Sequence, residues 1–166
     1  MRSELSAREL CALALIGALM EGSKLALAAL PNIHLNAVLI ILAAVFFGWR
    51  AMYSVAVYIM LEGILFGFGV WWISYLYVWP LLCAVCVLMR KNDSVLIWAV
   101  TAAIHGLLFG AMCSLPYLFI GGRSMALSYW VGGLSFDLAH CAGNFILTLI
   151  LYKPLKKAME LAIKKH

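Results

Sequence analysis

Charged residues in this chain are few and sit mostly at the ends of long apolar runs, an arrangement that decides most of what it can become. Only 11% of its 166 residues are charged and 66% are hydrophobic, against about 25% charged and 45–50% apolar in soluble domains. So much apolar surface has no place to hide in a water-soluble fold of this size, but it suits a lipid bilayer. A helix needs about 20 apolar residues to cross a hydrocarbon core of roughly 30 Å. The expectation is an all-α integral membrane protein, a single transmembrane domain forming a compact bundle of six transmembrane helices. No length remains for a separate soluble domain.

Prolines, glycines and charges punctuate the runs. They place helices at about 5–30, 35–48, 51–67, 72–90, 94–118 and 130–152, followed by a basic tail at 153–166. Helix 1 is expected to stop at Pro31, and Gly121-Gly122-Arg123-Ser124 to link the last two helices. The first apolar run is too long for a signal-peptide core and lacks a small-residue cleavage pattern, so it reads as a membrane helix.

Lysine and arginine set the orientation. With the N-terminus inside, Arg2, Arg8, Arg50, Arg90, Lys91, Lys153, Lys156, Lys157, Lys164 and Lys165 all face the cytoplasm; only Arg123 lies outside, and Lys24 falls within helix 1. That bias follows the positive-inside rule and favours an even number of crossings, with both termini cytoplasmic. It also accounts for the net charge of +5 without nucleic acid, because the basic residues mark helix ends rather than a patch. The five cysteines lie in apolar runs and read as small buried hydrophobes. Cys83 and Cys86 have C-x-x-C spacing but no second pair, so neither zinc nor redox chemistry is expected.

Ionisable groups within membrane helices are costly, by about 2.5–3.5 kcal/mol on insertion scales, and usually mark function or a paired interior contact. Here they are Glu21, Lys24, Glu62, His105, Asp137 and His140, with the amide Asn144. Glu21 and Lys24 are three apart and can pair on one face of helix 1. Glu62 has no partner in its own helix and lies beside the loose turn Gly67-Phe68-Gly69. Asp137, His140 and Asn144 stack on one face of helix 6, which must look into the bundle, because lipid offers no hydrogen-bond partner. Asp137 is the ligand candidate of the three; His140 and Asn144 lie deeper.

The aromatic stretch Trp71, Trp72, Tyr75, Tyr77 and Trp79 suits either an interfacial belt or a stacking pocket. In helix 1, Ala14 and Ala18, extended by Gly22, form a small-residue face that lets another backbone approach closely. No nucleotide-binding, metalloprotease or serine-hydrolase signature is present, so the chain is not expected to be an enzyme.

These features together resemble the substrate-binding S components of energy-coupling factor (ECF) vitamin transporters. The resemblance rests on size, six helices with both termini inside, the Ala14/Ala18 motif, and the ending Phe136-Asp137-Leu138-Ala139-His140-Cys141-Ala142-Gly143-Asn144-Phe145 followed by Lys153-Pro154-Leu155. It implies capture of a micronutrient from outside and partnership with a transmembrane T subunit, against which Ala14, Ala18 and Gly22 would pack. Two ABC ATPases would use ATP, leaving this cell-membrane chain with no cofactor of its own. The substrate pocket would draw on Asn32, His34, Glu62, Trp72, Tyr75, Trp79, Arg123, Trp130, Asp137 and His140, with Asn144 and His105 supporting. Aromatic rings beside two carboxylates suit a flat heterocycle bearing N–H donors or positive charge. The competing expectations are a stand-alone secondary transporter and a membrane assembly protein without a small ligand.

Overall fold

The computed structural model describes residues 5–30 and 32–164. The expected stop at Pro31 and the topogenic residues Arg2 and Lys165 lie outside the described residues. Every element is helical, and no strand occurs among the described residues: α1 (Ala7–Ala26), α2 (Asn36–Phe47), a 3-10 turn (Gly48–Ala51), α3 (Met52–Phe66), α4 (Val70–Leu88), α5 (Val95–Cys113) and α6 (Leu115–Lys164).

Four stretches are long and apolar enough to cross a membrane: Asn36–Phe66, Val70–Leu88, Val95–Cys113 and Leu115–Ala162. The exterior agrees with that chemistry. Leu15, Ile64, Leu107 and Ile150 are exposed, whereas Glu21, Asn36, Glu62, Asp137, His140, Asn144 and Thr148 are buried. Apolar side chains outside and polar ones within is the arrangement lipid favours. α1 is left out of the four because Arg8, Glu9, Glu21 and Lys24 all fall within its 20 residues.

Local signals set several boundaries. Ser6 and Glu9 form a reciprocal capping box that starts α1, satisfying backbone donors that the first turn leaves open. Ser94 caps α5 by accepting from the Ile97 amide. The last elements differ from expectation. α5 ends at Cys113, and Pro116 lies in the first turn of α6, where its missing N–H is no loss. The link expected at 121–124 shrinks to a break at two residues, Gly121 and Gly122. Gly122 has φ 72°, a conformation glycine adopts without steric cost. Helix 6 does not stop at 152: α6 carries on through the basic tail to Lys164, past Pro154.

Side-chain bonds fix the packing. α1 and α3 run parallel, with Arg50 on Glu9 at one end (2.7 Å), the Ser54 hydroxyl on the Leu13 carbonyl (2.8 Å), and Lys24 on Glu62 at the other end. α2 runs the opposite way. Its entry, the Leu35 amide, bonds the Ser23 hydroxyl at 3.2 Å, next to the residue that holds the end of α3. The apolar stretch Asn36–Phe66 is therefore a hairpin folded at Gly48, not one straight rod. Its arms of 12 and 15 residues are about 18 and 22 Å long.

α5 and α6 are antiparallel: Asp137 accepts from the Gly110 amide at 2.9 Å and Asn144 donates to the Ala102 carbonyl at 3.1 Å. Lys156 meets Asp93 at 4.0 Å at the far end. The two ends of the chain approach each other, because Arg8 donates to the carbonyl of Ala162 at 3.4 Å.

Cysteine burial is more varied than the sequence suggests. Cys83, Cys86 and Cys113 are buried, but Cys141 is half-buried and Cys11 is exposed on the outer face of α1.

Candidate functional site

The end of the bundle where α3 hands over to α4 holds a cavity of about 550 Å³, lined by Glu62 and Phe66 of α3, Trp71 and Tyr75 of α4, Phe109 and Gly110 of α5, and Tyr129, Phe136 and Asp137 of α6. Lys24 of α1 and Asn32 of the α1–α2 loop complete it. This is within the usual range for small-molecule sites, and the mix of aromatic walls with a few convergent polar groups is what such sites contain. A side chamber of about 320 Å³ shares Lys24, Asn32, Phe66, Tyr75 and Phe109 with it and adds His34 and His140.

Each wall has a local cause. Asn32 sits at φ 59°, a left-handed conformation that asparagine tolerates better than most residues. From there its amide donates to the Phe136 carbonyl at 3.3 Å, tying the first loop to α6. Gly110 allows α6 to come close: a Cβ there would strike the Asp137 carboxylate. The result is that Asp137 Oδ1 accepts the Gly110 N–H while Oδ2, equally buried, has no donor.

Lys24 departs from its expected partner. It binds both oxygens of Glu62, at 2.6 Å to Oε2, and lies 4.5 Å from the centroid of the Phe66 ring. Pairing with Glu21 is thereby replaced by an inter-helix pair. Glu21 is left buried with neither oxygen on a donor, within electrostatic reach of Glu62.

Beneath the cavity, Trp79 is fully buried and serves as a hub for three histidines. Its ring lies 5.8 Å from His34, 5.4 Å from His105 and 6.3 Å from His140, centroid to centroid. His105 meets the Val78 carbonyl at 3.3 Å through Nε2. Nδ1 of His34 and both ring nitrogens of His140 have no partner. Among the described residues no group of three histidine, cysteine or acidic side chains is arranged to hold a metal ion.

Among protein families, curated proteins and solved structures, the chain matches none.

Of the sequence candidates, Asn32, Glu62, Tyr75 and Asp137 line the main cavity, and His34 and His140 line the side chamber. Trp79 supports them from below. Asn144 and His105 bond to the backbone carbonyls of Ala102 and Val78. Trp79 apart, three candidates are not in the lining. Trp72 donates to the Ile59 carbonyl at 2.8 Å and packs edge-on against Phe68. Trp130 and Arg123 are exposed on the first half of α6. Conversely, Lys24, Phe66, Phe109, Tyr129 and Phe136 line the cavity without having been singled out for it. Lys24 carried a signal, being a cation inside an apolar run, but the four rings sit among equally apolar neighbours.

Proposed function

We propose that this chain is a multi-pass protein of the cell membrane, with six crossings and both termini cytoplasmic. On this reading it is the substrate-capture subunit of an ECF-type importer, delivering a flat heterocyclic micronutrient inward with a T subunit and two ATPases. The observation that carries this reading is the Asp137 carboxylate. It is 2% exposed, half of its hydrogen-bonding capacity is unused, and it faces an aromatic-walled cavity. Buried polar atoms are nearly always partnered, so an unused carboxylate oxygen among aromatic rings favours a ligand with an N–H donor or a positive charge.

The other support is at α1. Gly17 is locked inside, where a Cβ would come within 2.6 Å of the Ser54 carbonyl. Ala18 and Gly22 are exposed and Ala14 is half-buried, and a Cβ on Gly22 would meet nothing within 4 Å. The outward small-residue face is thus available to a partner's helices, where close approach drives association in lipid.

The deciding experiment is purification of the chain from its own host, with mass spectrometry of any retained small molecule and identification of co-purifying subunits. An aromatic heterocycle together with a T subunit and ATPases is the expected result. Transport by the lone chain in liposomes would overturn the reading in favour of a secondary transporter. An unchanged melting temperature across a panel of vitamins would favour an assembly role, because a specific ligand must stabilise the folded state by mass action.

Two substitutions separate the working parts. Asp137→Asn retains an oxygen for the Gly110 amide but removes the charge. It should weaken ligand binding by about tenfold or more with little change in melting temperature, checked by titration and thermal unfolding. Ala18→Trp should leave binding intact and abolish uptake in cells expressing the full complex.

A further inference from the structure

The groups around the Lys24 ammonium are those that recognise an organic cation. Nζ sits on both oxygens of Glu62 and against the face of Phe66, and a carboxylate beside an aromatic face is the usual recognition chemistry for ammonium ligands. Lys24, Glu62 and Phe66 all line the main cavity. The lysine side chain is 31% exposed and the glutamate 0%. A ligand therefore meets Lys24 first and reaches the glutamate only by moving it.

A second carboxylate is placed to receive the displaced lysine. Glu21 is one turn back on the same helix face, buried, with neither oxygen on a donor, and residues three apart on a helix are neighbours. Across the cavity, the unpartnered Oδ2 of the buried Asp137 is an independent sign that this space recognises a ligand.

We propose that Lys24 is a tethered stand-in for the ligand's positive group: a ligand bearing an ammonium, amidinium or N-alkylated heteroaromatic cation displaces Lys24 from Glu62, and Lys24 settles on Glu21. This builds on the capture reading above and names its substrate class as cationic. It gives the ion pair a second use. Glu62 is kept neutralised while the cavity is empty, and the site rejects an uncharged analogue that cannot replace the lysine.

The test is fluorescence titration of the full chain in nanodiscs with two probes, the cation 1-methylquinolinium and neutral quinoline at neutral pH. Lys24→Met removes the competitor and should bind the cation about tenfold more tightly than wild type, with quinoline unchanged. Lys24→Arg keeps the pair and should resemble wild type. Glu21→Gln removes the landing place and should weaken cation binding in the wild-type background but not alongside Lys24→Met. This variant alone decides the matter if Lys24→Met fails to fold, since unchanged cation binding in Glu21→Gln overturns the proposal. Equal or weaker cation binding by folded Lys24→Met overturns it too. If quinoline binds as well as the cation, displacement is wrong but the capture reading stands. If neither probe binds either protein, both fall.

Discussion

Replacing Glu62 by leucine should destabilise the protein by about 2–4 kcal/mol, somewhat under the cost of breaking a fully buried ion pair because the ammonium left behind is partly exposed. The pair joins α1 to α3 at the cavity end, and Glu62 is wholly buried while Lys24 is about one-third exposed. Without Glu62, the ammonium retains only the Phe66 face and the neighbouring Glu21. Glu62→Gln should cost less, about 2 kcal/mol, because the amide oxygen still accepts one hydrogen bond. Both should lose cation binding. Thermal unfolding in detergent measures the effect, and adding Lys24→Met to Glu62→Leu should restore part of the loss, since contacting partners are non-additive. A melting temperature in Glu62→Leu equal to that of wild type would show that the pair does not hold the helices together.

The second large effect is expected at Gly106. A Cβ there would lie 2.8 Å from the backbone nitrogen of Cys141 and 2.8 Å from the carbonyl carbon of His140. The obstacle is backbone rather than a side chain that can turn aside. Gly106→Val must push α5 and α6 apart, at about 3 kcal/mol, the upper part of the range for overpacking. The separation would also strain the Asn144–Ala102 and Asp137–Gly110 bonds on either side, so binding and stability should fall together. Gly22→Ala is the matched control. Its Cβ meets nothing, and an exposed helical glycine replaced by alanine should gain up to about 1 kcal/mol. Thermal unfolding of the two variants should move in opposite directions.

Sequence pattern revealed the polar part of the site and left much of the apolar part hidden. Asp137, His140 and Asn144 are spaced by three and four, and all three are buried; lipid permits no other face for such a stripe. Glu62 and Lys24 stood out for the same reason, but their pairing did not. Pairing with Lys24 depends on α1 lying parallel to α3 with α2 folded back, and nothing local to either residue encodes that.

The aromatic residues show where the pattern gives out. In a soluble helix, polar residues mark the outside and so reveal the inside. Here lipid and interior are both apolar, so the sequence does not distinguish Trp71, which lines the cavity, from Trp130, which is exposed. The link between the last two expected helices is shorter than expected for a related reason. Gly121 and Gly122 do interrupt the helix, but the polar Arg123 and Ser124 after them belong to the resumed helix.

The parallel pairing of α1 with α3 bears on how the chain is made. Lys24 finds Glu62 38 residues downstream, so the pair cannot close until α2 and most of α3 have been made. Until then Glu21 and Lys24, neighbours on one face of α1, have only each other as counter-charges on that helix. The contact that ties the cavity end of α1 to α3 is therefore long-range, and it closes only after the α2–α3 hairpin exists.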